Sequence, residues 1–198
     1  YVIVGQREIK HLNELPDNSE EAMEIYSEWK RENCSEESAN KKAKPAWSGK
    51  DLCEVIENSS CFNSSGEHAV LIRNTEWGGD SVTFKLNPNP GLFADQAKVT
   101  VGKAVLDFVD QWLSRFPDTD GIYVDSLGRF WPALLNYRKE HFRYAKYPLT
   151  FDPDGKVALH NQISHYEFLE RLREILKKQN RFVFANGLYS YNISGDDY

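Results

Sequence analysis

The stretch Asp120-Gly121-Ile122-Tyr123-Val124-Asp125-Ser126 decides how this chain is read. Residues 117–121, Pro-Asp-Thr-Asp-Gly, are turn chemistry, since proline and glycine break regular structure and Asp bonds back to its own backbone. Ile122-Tyr123-Val124 then forms a short β-branched and aromatic run suited to a buried strand, and Asp125 ends it. Upstream, Val101, Ala104, Val105, Phe108, Val109, Trp112 and Leu113 recur at helical spacing and predict a helix over 100–116. Downstream, Phe168, Leu169, Leu172, Ile175 and Leu176 predict a second helix over 165–179, with Ser164 and Glu167 as its capping box. Arg181-Phe182-Val183-Phe184-Ala185 follows as the next strand and ends at Asn186-Gly187.

Helix, strand, helix, strand predicts two adjacent parallel strands joined by a right-handed crossover, hence an α/β chain. A (β/α)8 barrel and an open doubly wound sheet share that order. No glycine-rich phosphate fingerprint follows any strand, which disfavours a nucleotide-binding open sheet. A complete barrel takes about 250 residues, and this chain has 198. The expectation is therefore a partial (β/α)8 TIM-type barrel, with residues 1–198 as part of one domain and further chain or domains of the same protein as partners. In the first half, residues 1–4 read as a strand, and 19–32 as a helix with Ser19 as N-cap. Residues 69–72 and 81–86 read as two further strands. Between the 19–32 helix and these strands, residues 32–66 are rich in Ser, Asn, Lys, Glu and Cys with little periodicity. They read as a long polar insertion.

The formal charge is −6, and no basic run exceeds Lys41-Lys42-Ala43-Lys44. A phosphate backbone needs clustered Lys and Arg, so nucleic acid is excluded as a partner class. No apolar stretch approaches the roughly 20 residues that span a bilayer. Three cysteines, Cys34, Cys53 and Cys61, lie among the sequons Asn33, Asn58 and Asn63, and a fourth sequon stands at Asn192. That clustering points to the secretory route and an extracellular glycoprotein; reduced thiols in a cytosolic protein are the alternative. Cys53–Cys61 is the easiest local disulfide, and Cys34 then has no assigned partner. With Tyr1 opening directly in a strand-like run, the chain reads as a mature, trimmed or partial product.

In a parallel barrel the active site lies at the C-terminal ends of the strands, where Asp125 stands. A carboxylate there could attack an anomeric carbon or stabilise its positive charge. The plainer role is that of a turn or capping carboxylate. The segment after it holds Arg129, Trp131, Asn136, Tyr137, Arg138, His141 and Tyr144. Sugar sites need fixed donors and acceptors for hydroxyls beside an aromatic platform. The substrate-contact candidates are therefore Trp131, Arg138, His141 and Tyr144, with Asn186 on the following strand. Arg138 and His141 share a face if this stretch is helical; a solvated helix with an ion pair to Glu140 is the alternative. No metal-ligand spacing occurs, and no cofactor is expected. Ser126 lacks the glycines of a nucleophile elbow. The chain has five Trp and ten Tyr, which serve either a core or a carbohydrate ligand.

Residues 120–125, together with Phe184-Ala185-Asn186-Gly187 ending the next strand, resemble the middle of a glycoside-hydrolase-type (β/α)8 barrel. The similarity is to retaining α-glycosidases, in which a nucleophilic Asp ends the fourth strand, and it covers roughly residues 81–187. It implies Asp125 as nucleophile and Asn186 as a substrate contact. It also calls for a second carboxyl group as acid/base. The next strand ends in Asn186 instead, and the only later carboxylates are Asp196 and Asp197. The two functions that follow are a secreted hydrolase cleaving a glycosidic bond with Asp125, and a non-catalytic glycan-binding or structural barrel.

Overall fold

Only residues 76–78 separate the second strand from the third, and that spacing governs the architecture of the first half. The computed structural model describes residues 6–10, 12, 14–34, 50–75, 79–125 and 135–186. Strands β1 (Gln6–Lys10), β2 (Val70–Thr75) and β3 (Gly79–Lys85) form one sheet in the order β1-β3-β2. Both pairings are antiparallel. A parallel connection needs about a dozen residues or more, so three residues between β2 and β3 permit only a hairpin. Its last pair is Thr75↔Gly79, inside what the sequence presents as a loop. Ile9 and Ile72 both register with Val82, so one face of the sheet is apolar across all three strands.

Helix α1 (Ser19–Asn33) is capped by Asn18, one residue before the expected Ser19. The Asn18 carboxamide oxygen accepts from the Glu21 N–H at 3.0 Å, and Glu21 accepts from the Asp17 N–H at 2.8 Å. Within the expected polar insertion the chain forms a second helix, α2 (Lys50–Ser59). Its Val55 and Ile56 are buried at 0% and 1% exposure, so this part of residues 32–66 belongs to the core. The 3.6-residue signal there is short, because polar Glu54, Glu57 and Asn58 interrupt it.

Helix α3 (Val101–Arg115), with Thr100 as cap, leads into β4 (Gly121–Val124). An insertion follows. Strands β5 (Leu135–Asn136), β6 (Thr150–Phe151) and β7 (Val157–His160) form an antiparallel sheet in the order β5-β7-β6, and helix α4 (Lys139–Phe142) lies between β5 and β6. Helix α5 (Asn161–Lys178) then returns the chain to β8 (Phe182–Ala185), which pairs with β4 in parallel. Helix α5 begins at Asn161, not at Ser164. Both Ser164 and Glu167 are buried inside it, so the expected capping box is not formed.

One buried cluster joins these elements. It contains Ala22 and Tyr26 of α1, Val82 and Phe84 of β3, Val105 and Val109 of α3, Ile122 and Val124 of β4, and Phe168 and Leu172 of α5. The partial (β/α)8 barrel expected from the helix–strand alternation is overturned. The described strands lie in separate sheets of three, two and three strands, and they close no barrel. Two of those sheets are antiparallel throughout: β2–β3 and β6–β7 are joined by connections too short for a crossover, and β1 and β5 pair antiparallel with β3 and β7 across longer ones. The parallel β4–β8 pair is the single βαβ unit among the described residues. Also among the described residues, no helix is long and apolar enough to cross a membrane.

The disulfide differs as well. Cys53 pairs with Cys34, with their Cα atoms 6.0 Å apart, and not with Cys61. Helix α2 turns the Cys53 side chain toward the end of α1, while Cys61 lies beyond the helix as a fully buried thiol. Burial pushes that thiol far up from its ordinary pKa. The bond fits an oxidising environment and a secreted protein.

Candidate functional site

Successive side chains of a strand point to opposite faces, and β4 and β8 show a sharp division. Ile122 and Val124 point into the core at 7% and 0% exposure. Tyr123, Phe182 and Phe184 point outward at 40%, 53% and 56% exposure. Parallel strands are ordinarily covered on both faces, so three exposed aromatics on this pair are a marked departure. The register is Gly121↔Phe182 and Tyr123↔Phe184. Phe182 and Phe184 meet edge to face, with ring centroids 5.2 Å apart. Gly121 makes the close pairing possible: a Cβ there would stand 2.3 Å from the Phe182 carbonyl oxygen and 2.9 Å from its ring.

The ladder runs one step past both strands. The Asn186 N–H donates to the Val124 carbonyl at 3.2 Å, which sets Asp125 and Asn186 side by side at the C-terminal edge. Alternation assigns both residues to the aromatic face. The Tyr123 hydroxyl lies 3.5 Å from the Asp125 carboxylate, on the same side. The face thus presents Tyr123 and Asp125 on one strand, and Phe182, Phe184 and Asn186 on the other. Tyr123, Phe182 and Phe184 are absent from the sequence-based candidates. Their signal is present in the sequence as period-two alternation of aromatic and aliphatic residues. It is hidden because a parallel strand is expected to be apolar on both faces.

The other candidates hold different partners. Arg138, just before α4, donates from Nη1 to the Glu57 and Ser60 carbonyls at 2.7 and 3.2 Å. Its guanidinium also lies 4.8 Å from the centre of the Phe62 ring. His141 is fully buried, and its protonation is set by its neighbours. The Asn136 carboxamide oxygen accepts from the Phe62 and Arg138 N–H groups, each at 3.0 Å. The Asn87 carboxamide oxygen accepts from the Asn89 N–H at 2.9 Å. Both NH2 groups are therefore turned toward His141 Nδ1, at 3.1 and 3.4 Å, and Nδ1 must accept. His141 Nε2–H then donates to the Asn58 carbonyl at 3.0 Å. This neutral imidazole ties together α2, the end of β3, and β5. Burial, reinforced by Arg138, lowers its pKa to about 3.

Tyr144 is bound at its hydroxyl to Asp95 at 2.6 Å, and its ring packs 5.2 Å from Phe93. Glu167, inside α5, accepts from the Lys146 N–H at 2.8 Å and from the Asn89 carboxamide. It fastens the loop after β3 to α5, and burial holds its pKa above the usual carboxylate value. Trp131, Arg129 and Asn192 lie outside the described residues. No group of three His, Cys, Asp or Glu among the described residues is set to hold a metal ion.

The structure overturns the resemblance to retaining α-glycosidase barrels: the described strands close no barrel, and no family model supports it. Comparison with protein-family models finds no match, and comparison with curated proteins and with solved structures finds none either.

Proposed function

We propose that the protein recognises carbohydrate on the exposed face of β4 and β8. What supports this reading above all is one juxtaposition: solvent-facing Tyr123 and Phe184 sit opposite each other, next to Asp125 and Asn186 at the strand ends. A pyranose ring has an apolar C–H face and a rim of hydroxyls. Aromatic rings cover the first, and a carboxylate with a carboxamide serves the second. Asp125 accepts from two adjacent hydroxyls, and Asn186 both donates and accepts. Retaining hydrolysis uses two carboxyl groups about 5–5.5 Å apart. The two strands bring one carboxylate, Asp125, to this face, so binding without cleavage is the reading favoured.

The test is calorimetric titration with cellotriose, maltotriose, chitotriose and mannotriose. Asp125→Ala removes a charge-assisted hydrogen bond of about 1.5–3 kcal/mol, so the dissociation constant should rise about 10- to 100-fold. Tyr123→Ala should weaken binding at least about tenfold through lost stacking, with the thermal midpoint little changed. Wild-type protein that binds none of the four at about 10 mM, or variants that bind as well as wild type, would refute the proposal. Turnover of aryl glycosides that disappears in Asp125→Asn would instead assign Asp125 as a nucleophile.

A further inference from the structure

We infer that Asn63 is the N-glycosylated residue of the sequon cluster, and that Asn58 stays bare. Both carry the Asn-x-Ser pattern, but the fold treats them oppositely. Asn63 opens a tight turn whose next residues, Ser64, Ser65, Gly66 and Glu67, are all exposed. Its carboxamide oxygen is occupied by the Ser65 and Glu67 N–H groups, each at 3.0 Å. That leaves Nδ2 on the solvent side, where among the described residues it donates to the exposed Glu67 carboxylate at 3.1 Å. The turn closes a short hairpin, Phe62↔His68, at the molecular surface. A glycan on Nδ2 extends from this tip and displaces no core contact. Nδ2 keeps one hydrogen after substitution, enough for the Glu67 bond.

Asn58 stands in the last turn of α2, and its Nδ2 is turned inward to the Val99 carbonyl at 2.9 Å. Its own carbonyl receives the buried His141. The hydroxyl residue of its sequon, Ser60, is 0% exposed and bonded to the Ile56 carbonyl at 2.6 Å. A sugar at Asn58 would have to open this packing, and a chain so modified is a poor candidate to complete folding. Asn33 lies between: its Nδ2 bonds the Trp29 carbonyl at 2.8 Å, and Cys34, the middle residue of its sequon, is committed to Cys53.

The donor is a lipid-diphosphate-linked oligosaccharide, used by a membrane oligosaccharyltransferase. Asn63 Nδ2 forms a bond to the anomeric carbon, and the bond from that carbon to the diphosphate oxygen breaks. The lipid diphosphate leaves with the electron pair, and Nδ2 gives one proton to a base of the transferase.

The experiment is secretion of the whole chain from mammalian cells, followed by enzymatic deglycosylation in heavy-oxygen water and peptide fragmentation. Asn63 should be recovered as heavy-labelled Asp, and Asn58 as unmodified Asn. Ser65→Ala removes the sequon while keeping Asn63 and the backbone N–H groups that hold its turn. The intact mass of the secreted protein should fall by one glycan in that variant. An unmodified Asn63, a labelled Asn58, or an unchanged glycan mass in Ser65→Ala would each overturn the assignment.

Discussion

Gly121→Val should lower the unfolding free energy by about 3 kcal/mol or more and weaken any ligand binding at the strand ends. Overpacking a filled site costs about 1–3 kcal/mol where side chains can move aside. Here the nearest obstacle is the Phe182 carbonyl oxygen, 2.3 Å from the new Cβ. Backbone does not rotate away, so β4 and β8 must separate to admit the methyl groups. Separation breaks the register Gly121↔Phe182 to Val124↔Ala185 and, one step on, the side-by-side arrangement of Asp125 and Asn186. Gly121→Ala should act in the same direction. Urea denaturation measures the loss, and a change within about 0.5 kcal/mol would mean that the close pairing is not what holds this edge.

Acid should destabilise the protein well before its carboxylates titrate. His141 and His165 are buried and neutral, and burial lowers their pKa values from 6.5 to about 3 and about 4. His165 Nδ1 is held on the Asn161 carbonyl at 2.9 Å. As pH falls below about 6.5 the unfolded chain takes up both protons while the folded chain takes up neither. Stability is thus present above pH 6.5 and is lost as pH falls toward 4. The slope is about 1.4 kcal/mol per pH unit for each histidine, hence about 2.7 for the pair. Over that window the loss is on the order of 5 kcal/mol, comparable to the whole stability of many domains. Glu167 opposes it in part, because its raised pKa lets the folded state bind a proton earlier. Denaturation curves between pH 7 and 4 measure the slope, and a folded His141→Gln variant should lower it by about 1.4 kcal/mol per pH unit, while His68 and His160, whose burial also lowers their pKa values, add to the slope that remains. A flat profile over that range would contradict the buried neutral histidines.

The parallel pair at the centre of the account is legible in the chain. Val101 to Leu113 and Phe168 to Leu176 carry helical periodicity, and each leads into a short apolar strand. A strand–helix–strand order then leaves parallel pairing as the economical solution. The barrel drawn from the same alternation fails at β2 and β3. Their pairing reaches into residues rich in Gly, Asn and Thr, where local propensity signals a loop and long-range hydrogen bonding makes a strand. Helix α2 is obscured for a similar reason, since Val55 and Ile56 are too few to set a period among polar neighbours. At the site, Asp125 and Asn186 are visible as strand-end residues. The aromatic face is not, because whether Tyr123, Phe182 and Phe184 are covered depends on tertiary packing alone. Arg138 and His141 show the converse. Polar residues in a polar segment read as ligand contacts, yet both satisfy backbone carbonyls beneath the surface.

The most direct test of the central claim is NMR observation of the Asn186 side-chain amide and the Tyr123 and Phe184 ring protons while cellotriose, maltotriose, chitotriose or mannotriose is added. Carbohydrate recognition on the β4–β8 face predicts that at least one trisaccharide shifts all three sets of signals together, with one common dissociation constant. Signals that stay fixed under every trisaccharide, or shifts confined to residues remote from Asp125 and Asn186, would contradict it.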